Sequence, residues 1–330
     1  MARFGINPAR GKTSAYQPAS ITVALLTYIP HLDGYFRNRF EILQLTLASL
    51  VANTSLPYDL FIFDNGSISQ VVDYLEALQE QGTIRYLFLS SENIGKIGAF
   101  ELLFNSAPGE YVAYSDDDIY FYPGWLEAHL DVLETFPNVG MVSGAPVRDA
   151  SDRASRTLKE LIAKDEPSIK VSFGKRIPDE WESDWALSVG RDPEEHLQKT
   201  RNHQDIILEC GGVEAFGSAS HFQFLSPKKM IVNALPEIWS GQLMGEMNEL
   251  DQAIDQLGYL RLSTVGRYTR HLGNAISPDL VDEAQQLGVN QSGNARRTGK
   301  QKHWLLAIPG SGRLLRRTYN SLFNILHNID

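Results

Sequence analysis

An α/β fold built on a mostly parallel sheet is what this sequence predicts, and three observations carry the prediction. Short apolar runs alternate with stretches of helix-spaced apolar residues. The runs end in polar or turn-forming residues, and the composition supports a core large enough to cover a sheet on both faces. With 330 residues, 43% hydrophobic and 21% charged, the chain has the balance of a globular protein of one large domain or two modest ones.

Residues 1–20 are expected to be a disordered lead-in. Gly11-Lys12-Thr13 imitates a phosphate loop, but Gly5 stands one residue too far away for the G-x4-G-K-T spacing and no strand precedes it. Residues 21–26, ITVALL, form the first buried-type run, which ends at Thr27-Tyr28-Ile29-Pro30 because proline cannot donate to a strand ladder. Residues 40–51 follow with Ile42, Leu43, Leu45, Leu47 and Leu50 at helical spacing. The plan then repeats. A strand over 58–63 runs into Asp64-Asn65-Gly66-Ser67, and a helix over 71–79 carries Val72, Leu75 and Leu78 on one face. A third strand covers 83–89, and Asn93-Ile94-Gly95-Lys96 precedes a helix that reaches Asn105. Parallel strands need crossover connections, and these helices supply them.

The fourth strand lies in residues 110–122, EYVAYSDDDIYFY, where β-formers drive straight into Asp116, Asp117 and Asp118. Three carboxylates at a strand tip repel one another at neutral pH, and a hard divalent cation with oxygen ligands relieves that repulsion. A turn or helix cap before Pro123 is the plainer explanation of the triplet. Thr27, Asp64, Asn93, Lys96 and Asp116–Asp118 all follow strand ends, and ligands of such sheets bind beyond the carboxyl ends of the strands.

Charge is uneven. The formal net charge is −10, yet residues 295–330 carry seven Lys or Arg against one acid. Leu315, Tyr319, Leu322, Leu326 and Ile329 are spaced as on a helix beside Arg313, Arg316 and Arg317, so this basic C-terminal helical tail suits an anionic membrane surface, its own domain or a homodimer contact. One cysteine, Cys210, excludes an intrachain disulfide framework and a multi-cysteine zinc site. Neither a signal peptide nor a membrane span of about 18 apolar residues is recognisable. The expected location is cytoplasmic, with peripheral contact to the inner face of the membrane left open.

Together, the strand ending near Thr27, Leu47-Ala48-Ser49-Leu50, Asp64-Asn65-Gly66-Ser67, Asn93-Ile94-Gly95 and the acidic triplet give the chain a resemblance to the family 2 glycosyltransferases of the GT-A fold, over residues 21–274. The resemblance implies a nucleotide-binding half over 21–143, an acceptor half over 144–274 and a C-terminal extension over 275–330. It also implies that Asp64 contacts the nucleotide base, that Asn93, Gly95 and Lys96 lie along the nucleoside, and that Thr27 belongs to the same site. The triplet looks like the DXD motif, with Asp116 or Asp117 toward the ribose and Asp116 and Asp118 holding Mn2+ or Mg2+. His271, before Leu272-Gly273-Asn274, looks like a further metal ligand, and imidazole beside carboxylate suits Mn2+. The family keeps its catalytic base at a helix start, typically the aspartate of a Glu-Asp pair. This sequence departs there, because Met247 falls where the aspartate belongs, which leaves Glu249, Glu246 and Asp251 as candidates. Each also simply complements a helix N-terminus.

Between these regions the pattern loosens. Residues 149–207 show one short helical signal, at 158–162, and place Trp181 and Trp185 among acids, which suits an acceptor sugar or a small core closed by two indoles. Residues 211–225 return to strand-like alternation, and a helix is expected from Gly245 to Leu257.

The function expected is transfer of a sugar from a nucleotide-diphosphate sugar to a hydroxyl of a saccharide, lipid-linked or small-molecule acceptor, with metal and with inversion. A nucleic acid partner is not expected. A retaining transferase, a sugar-nucleotide-binding protein and a nucleotidyltransferase are the alternatives. The last usually has a glycine-rich basic loop after its first strand, which is absent here, and Thr27-Tyr28-Ile29-Pro30-His31 likewise lacks the G-x-G-x-x-G of a dinucleotide fold.

Overall fold

The structure, a computed structural model, describes residues 6–7, 9–164, 166–236, 241–245, 247–289 and 318. The expected alternation is present. β1 (Ile21–Thr27), α1 (Arg39–Asn53), β2 (Asp59–Asp64), α2 (Ser69–Glu80), β3 (Tyr86–Leu89), α3 (Lys96–Ser106) and β4 (Tyr111–Asp116) follow one another. A short β5 (Ile119–Phe121), α4 (Trp125–Thr135) and β6 (Val139–Ser143) complete the first half. The second half adds α5 (Arg156–Lys164), β7 (Ile169–Gly174), α6 (Asp179–Ser188), α7 (Pro193–Lys199), β8 (Asp205–Cys210), β9 (Val213–Phe216) and β10 (Gln223–Pro227). It closes with α8 (Lys228–Ala234), α9 (Met247–Gln256), β11 (Leu260–Thr264), β12 (Thr269–His271) and α10 (Pro278–Gln286).

Ten strands make one sheet in the order β3-β2-β1-β4-β10-β6-β11-β9-β8-β7, and β12 pairs with β5 in a separate ribbon. β3, β2, β1 and β4 are mutually parallel. β10 is antiparallel to both β4 and β6, so the sheet is mixed although mostly parallel on the side of the acidic tip. Successive strand side chains point to opposite faces, and here both faces are buried, so the strands read as continuous apolar runs rather than alternating ones. Ile21, Val23, Leu25, Leu60, Ile62 and Ala113 join the core on one face with Leu43, Leu47 and Leu50 of α1. Ala24, Leu26, Phe61, Phe63, Val112 and Tyr114 join the core on the other, with Phe100, Leu103 and Phe104 of α3.

Residues 149–207 contain more structure than the sequence reading found. The antiparallel pairing of β7 with β8 at the sheet edge, and α6 and α7, were not expected, whereas β9 falls in the strand-like alternation over 211–225. β7 is an edge strand with most of its side chains half-buried or exposed, so it lacks the apolar run of a central strand. α6 and α7 are short, and each carries acids through its first turn.

Segments before and after residues 21–274 pack onto the domain. Within the expected lead-in, Tyr16 donates to Asp59 Oδ2 at 2.5 Å and lies under the Arg85 guanidinium. At the other end, Leu280 and Ala284 of α10 pack with Ile42 and Leu45 of α1 and with Tyr120. The basic tail beyond, including Arg313, Arg316, Arg317 and the apolar positions from Leu315 to Ile329, lies outside the described residues. No helix among the described residues is long and apolar enough to cross a membrane.

Candidate active site

Strand register aligns the candidate residues along one rim. Thr27 pairs with Asp64, Asp64 with Leu89, and Leu26 with Asp116, so the carboxyl ends of β1, β2, β3 and β4 are level. The acidic triplet sits where β4 turns into β5, and β12 runs antiparallel to β5 with His271 opposite Ile119. His271 thereby arrives beside a triplet more than 150 residues earlier in the chain.

The three aspartates have different surroundings. Asp116 is the most accessible, its side chain 22% exposed, and it takes Lys96 Nζ on both oxygens at 2.6 and 2.9 Å and the Tyr114 hydroxyl on Oδ1. Asp117 points inward, accepting from Thr27 Oγ1 at 2.6 Å and from the Arg39 guanidinium. Asp118 accepts from Arg39 Nη1 at 2.7 Å on Oδ2 and lies 3.4 Å from His271 Nε2, while its Oδ1 is buried without a hydrogen-bond partner among the described residues. Burial raises the pKa of Asp117, with help from the charge of Asp118 and against the pull of Arg39. For Asp118 burial works upward too, but His271, Arg39 and Lys96 together bring its pKa below the usual carboxylate range.

This corrects one physical step in the sequence reading. Repulsion inside the triplet is already relieved by two fixed cations, Arg39 and Lys96, rather than left to a metal ion. Arg39 was missed. It opens α1, where a basic residue ordinarily reads as a solvated helix end, and it is 8% exposed only because β4 ends directly beneath it. Lys96, expected to lie along the nucleoside, is committed to Asp116 at the start of α3.

A divalent cation fits part of this donor set. Asp118 Oδ1 is an orphan carboxylate oxygen, and His271 presents Nε2 to the same side chain while Ser188 Oγ fixes its Nδ1 at 2.8 Å. Among the described residues no cluster of three or more such side chains converges as a ready-made metal cage. A hard cation here would therefore complete its shell with water and phosphate oxygens.

The rim beyond β2 and β3 is shaped by backbone. Asp64 is buried and uses Oδ2 to accept the Gly66 and Ser67 amides, a turn arrangement that leaves Oδ1 without a partner among the described residues. Burial raises its pKa against those bonds. Asn93 Oδ1 accepts from the Gly95 amide and from Asn65 Nδ2, and Asn65 Oδ1 accepts the Ile94 amide. Gly95 has φ +79°, and a Cβ there would stand 2.4 Å from the Gln242 carbonyl oxygen. Residues 242–243 therefore cross the α3 start at a distance only glycine allows, and the Lys96 amide donates to Leu243 O at 3.2 Å.

The candidate bases separate. Glu246 lies outside the described residues. Glu249 is exposed, whereas Asp251 is buried between His221 and Arg261. On the far side of His271, Trp181 and Trp185 line a cleft with Arg267, Arg270 and Thr269. Trp181 also packs against a small core of Ile177, Ile207 and Phe216, which is the packing alternative for that indole.

Comparison with known proteins gives a family match over part of the chain. Residues 35–190 match the model of Glycosyl transferase family 2. The uncharacterized glycosyltransferase alr2836 of Nostoc sp. (strain PCC 7120) is 30% identical over 140 residues, which is 42% of this chain and 44% of that protein. Chondroitin synthase of Escherichia coli is 23% identical over 251 residues, 73% of this chain and 33% of that protein. The chain thus spans less than half the length of these curated relatives. Among solved structures, a mannosyltransferase from Pyrobaculum calidifontis in complex with GDP-Man and Mn2+ gives a TM-score of 0.31 at 22% identity, over 39% of this chain and 36% of that one. GalNAc-T7 with UDP, GalNAc and Mn2+ gives 0.46 at 13% identity, over 81% and 48%. The rim of carboxylates thus lies in a chain whose residues 35–190 match Glycosyl transferase family 2.

Proposed function

We propose that this protein transfers a sugar from a nucleotide-diphosphate sugar to a hydroxyl group, with a divalent cation and with inversion at the anomeric carbon. One observation carries the reading: the tips of β1, β2 and β4 bring Thr27, Asp64 and Asp116–Asp118 to one rim, where Asp118 keeps a buried oxygen with no partner among the described residues, beside His271. Breaking a sugar–diphosphate bond leaves negative charge on the leaving group, and Mn2+ or Mg2+, when bound, stabilises that charge as it develops.

In this reading Asp118 and His271 hold the cation, and Asp116 faces the donor as the most accessible member of the triplet. Asp117 orients the site from beneath through Thr27 and Arg39. Lys96 places a second positive charge at the rim, and Asp64 with the Asn65–Asn93–Gly95 hydrogen bonds shapes the nucleoside end. The acceptor enters past Trp181 and Trp185, whose faces suit the apolar side of a sugar ring. One member of the group Glu249, Glu246 and Asp251 serves the acceptor hydroxyl, directly or through a neighbour.

A thermal-shift series tests this. The intact chain is melted with UDP-, GDP- and dTDP-sugars, with and without Mn2+. Expected is stabilisation by one donor class that requires metal, of about 2.7 kcal/mol at a hundredfold excess over Kd. Stabilisation that is equal without metal contradicts the cation's role, and no response to any donor contradicts the reading as a whole.

A further inference from the structure

Asp251 stands in the second turn of α9 and is 3% exposed. Its Oδ2 lies 2.9 Å from His221 Nδ1, and its Oδ1 makes a 2.8 Å ion pair with Arg261 Nη2 that is too poorly aligned to count as a hydrogen bond. Arg261 is buried in turn, donating to the carbonyls of Ala219 and Arg153. The carboxylate is therefore anchored from behind and aimed at one imidazole.

That arrangement sets the state of His221. A carboxylate oxygen accepts, so Nδ1 is the ring nitrogen that donates to Asp251, and in the neutral ring this tautomer leaves the lone pair on Nε2. Nε2 makes no hydrogen bond among the described residues, and the side chain is 29% exposed. His221 directly precedes Phe222, whose carbonyl accepts the Asp116 amide at 2.9 Å and whose ring meets that of His271 with 5.0 Å between centroids. An accessible, oriented imidazole thus stands one residue from the rim proposed to hold the donor. Glu249 on the same helix is exposed, and no side chain fixes it among the described residues.

We propose that His221 is the general base of the transfer and that Asp251 is its positioning residue, an inference that rests on the transferase reading above. Nε2 takes the proton of the acceptor hydroxyl while that oxygen's lone pair forms the bond to the anomeric carbon. The bond from that carbon to the diphosphate breaks on the opposite face, its electron pair leaving on the phosphate oxygen. The proton taken up by His221 later passes to solvent, and no other reactant is needed. The role of the carboxylate is the one it has wherever an aspartate holds a histidine in a single tautomer and steadies the imidazolium that forms.

The test compares the intact chain with His221→Ala, His221→Gln and Asp251→Asn. The readouts are nucleoside diphosphate release from the UDP-, GDP- or dTDP-sugar that stabilises the parent, and affinity for that same donor. His221→Ala and His221→Gln are expected to lower kcat by roughly 10²–10⁴-fold with donor affinity unchanged, the usual contribution of a positioned base. Glutamine keeps a donor toward Asp251, so its loss of rate separates base from packing. Free imidazole should restore part of the rate to His221→Ala. Asp251→Asn should lower kcat without raising KM and gain nothing from imidazole. Full activity in His221→Ala, or donor affinity lost in step with rate in both His221 variants, overturns the assignment while leaving the transferase reading intact. A parent that neither binds nor turns over any of these nucleotide sugars overturns both.

Discussion

Arg39 holds two buried carboxylates at once, and its surroundings decide what losing it would do. Burial by itself works against its charge, but Asp117 and Asp118 push its pKa further up, so it stays a cation. Removing one partner of a buried ion pair leaves the other uncompensated, which costs about 3–5 kcal/mol. Arg39→Ala should therefore unfold more easily by about that amount in urea. Mn2+ should raise the variant's midpoint more than the parent's, because the freed oxygens of Asp117 and Asp118 gain a cation in its place. An equal response to metal in both proteins would show that these oxygens do not take one. At this scale the sequence revealed residue types but not their partners. The triplet was visible as a motif, whereas Arg39, His221 and Arg261 are ordinary basic residues until the fold brings them against Asp117 and Asp251.

Elements differ in how openly the sequence declares them. β1 and β2 are buried on both faces, and their continuous apolar runs gave bounds within a residue. β7 and α6 bury only part of one side, and there the apolar signal thins out. A further element-level contact, between the start of α3 and residues 242–243, was not legible because it depends on chain crossing rather than on periodicity. It rests on Gly95, whose φ of +79° and 2.4 Å Cβ clearance exclude a side chain. Gly95→Ala is expected to lose about 1–3 kcal/mol from strained backbone. It should also weaken donor binding by moving residues 242–243 off the rim. Calorimetry together with donor titration checks this, and an alanine variant that matches the parent in both would show that the crossing plays no part in the site.

For the molecule as a whole, the sheet order explains why distant motifs form one site. β10 inserts antiparallel between β4 and β6, and β12 returns to β5, so His221 and His271 reach a rim that the first half of the chain began. The alternation of strands and helices made the α/β class legible, because parallel strands require crossovers. The return of the second half was not legible, because antiparallel insertion leaves no periodic mark. The central claim is that Asp118, at the tip of β4, holds the cation that makes a diphosphate a workable leaving group. Its most direct test is the rate of nucleoside diphosphate release from a nucleotide sugar in Mn2+ by the intact chain and by Asp118→Ala, with the fold of each verified by circular dichroism. Metal-dependent release by the parent and a loss of about 10²–10³-fold in the variant are expected; a folded variant that releases product as fast as the parent would contradict that role of Asp118.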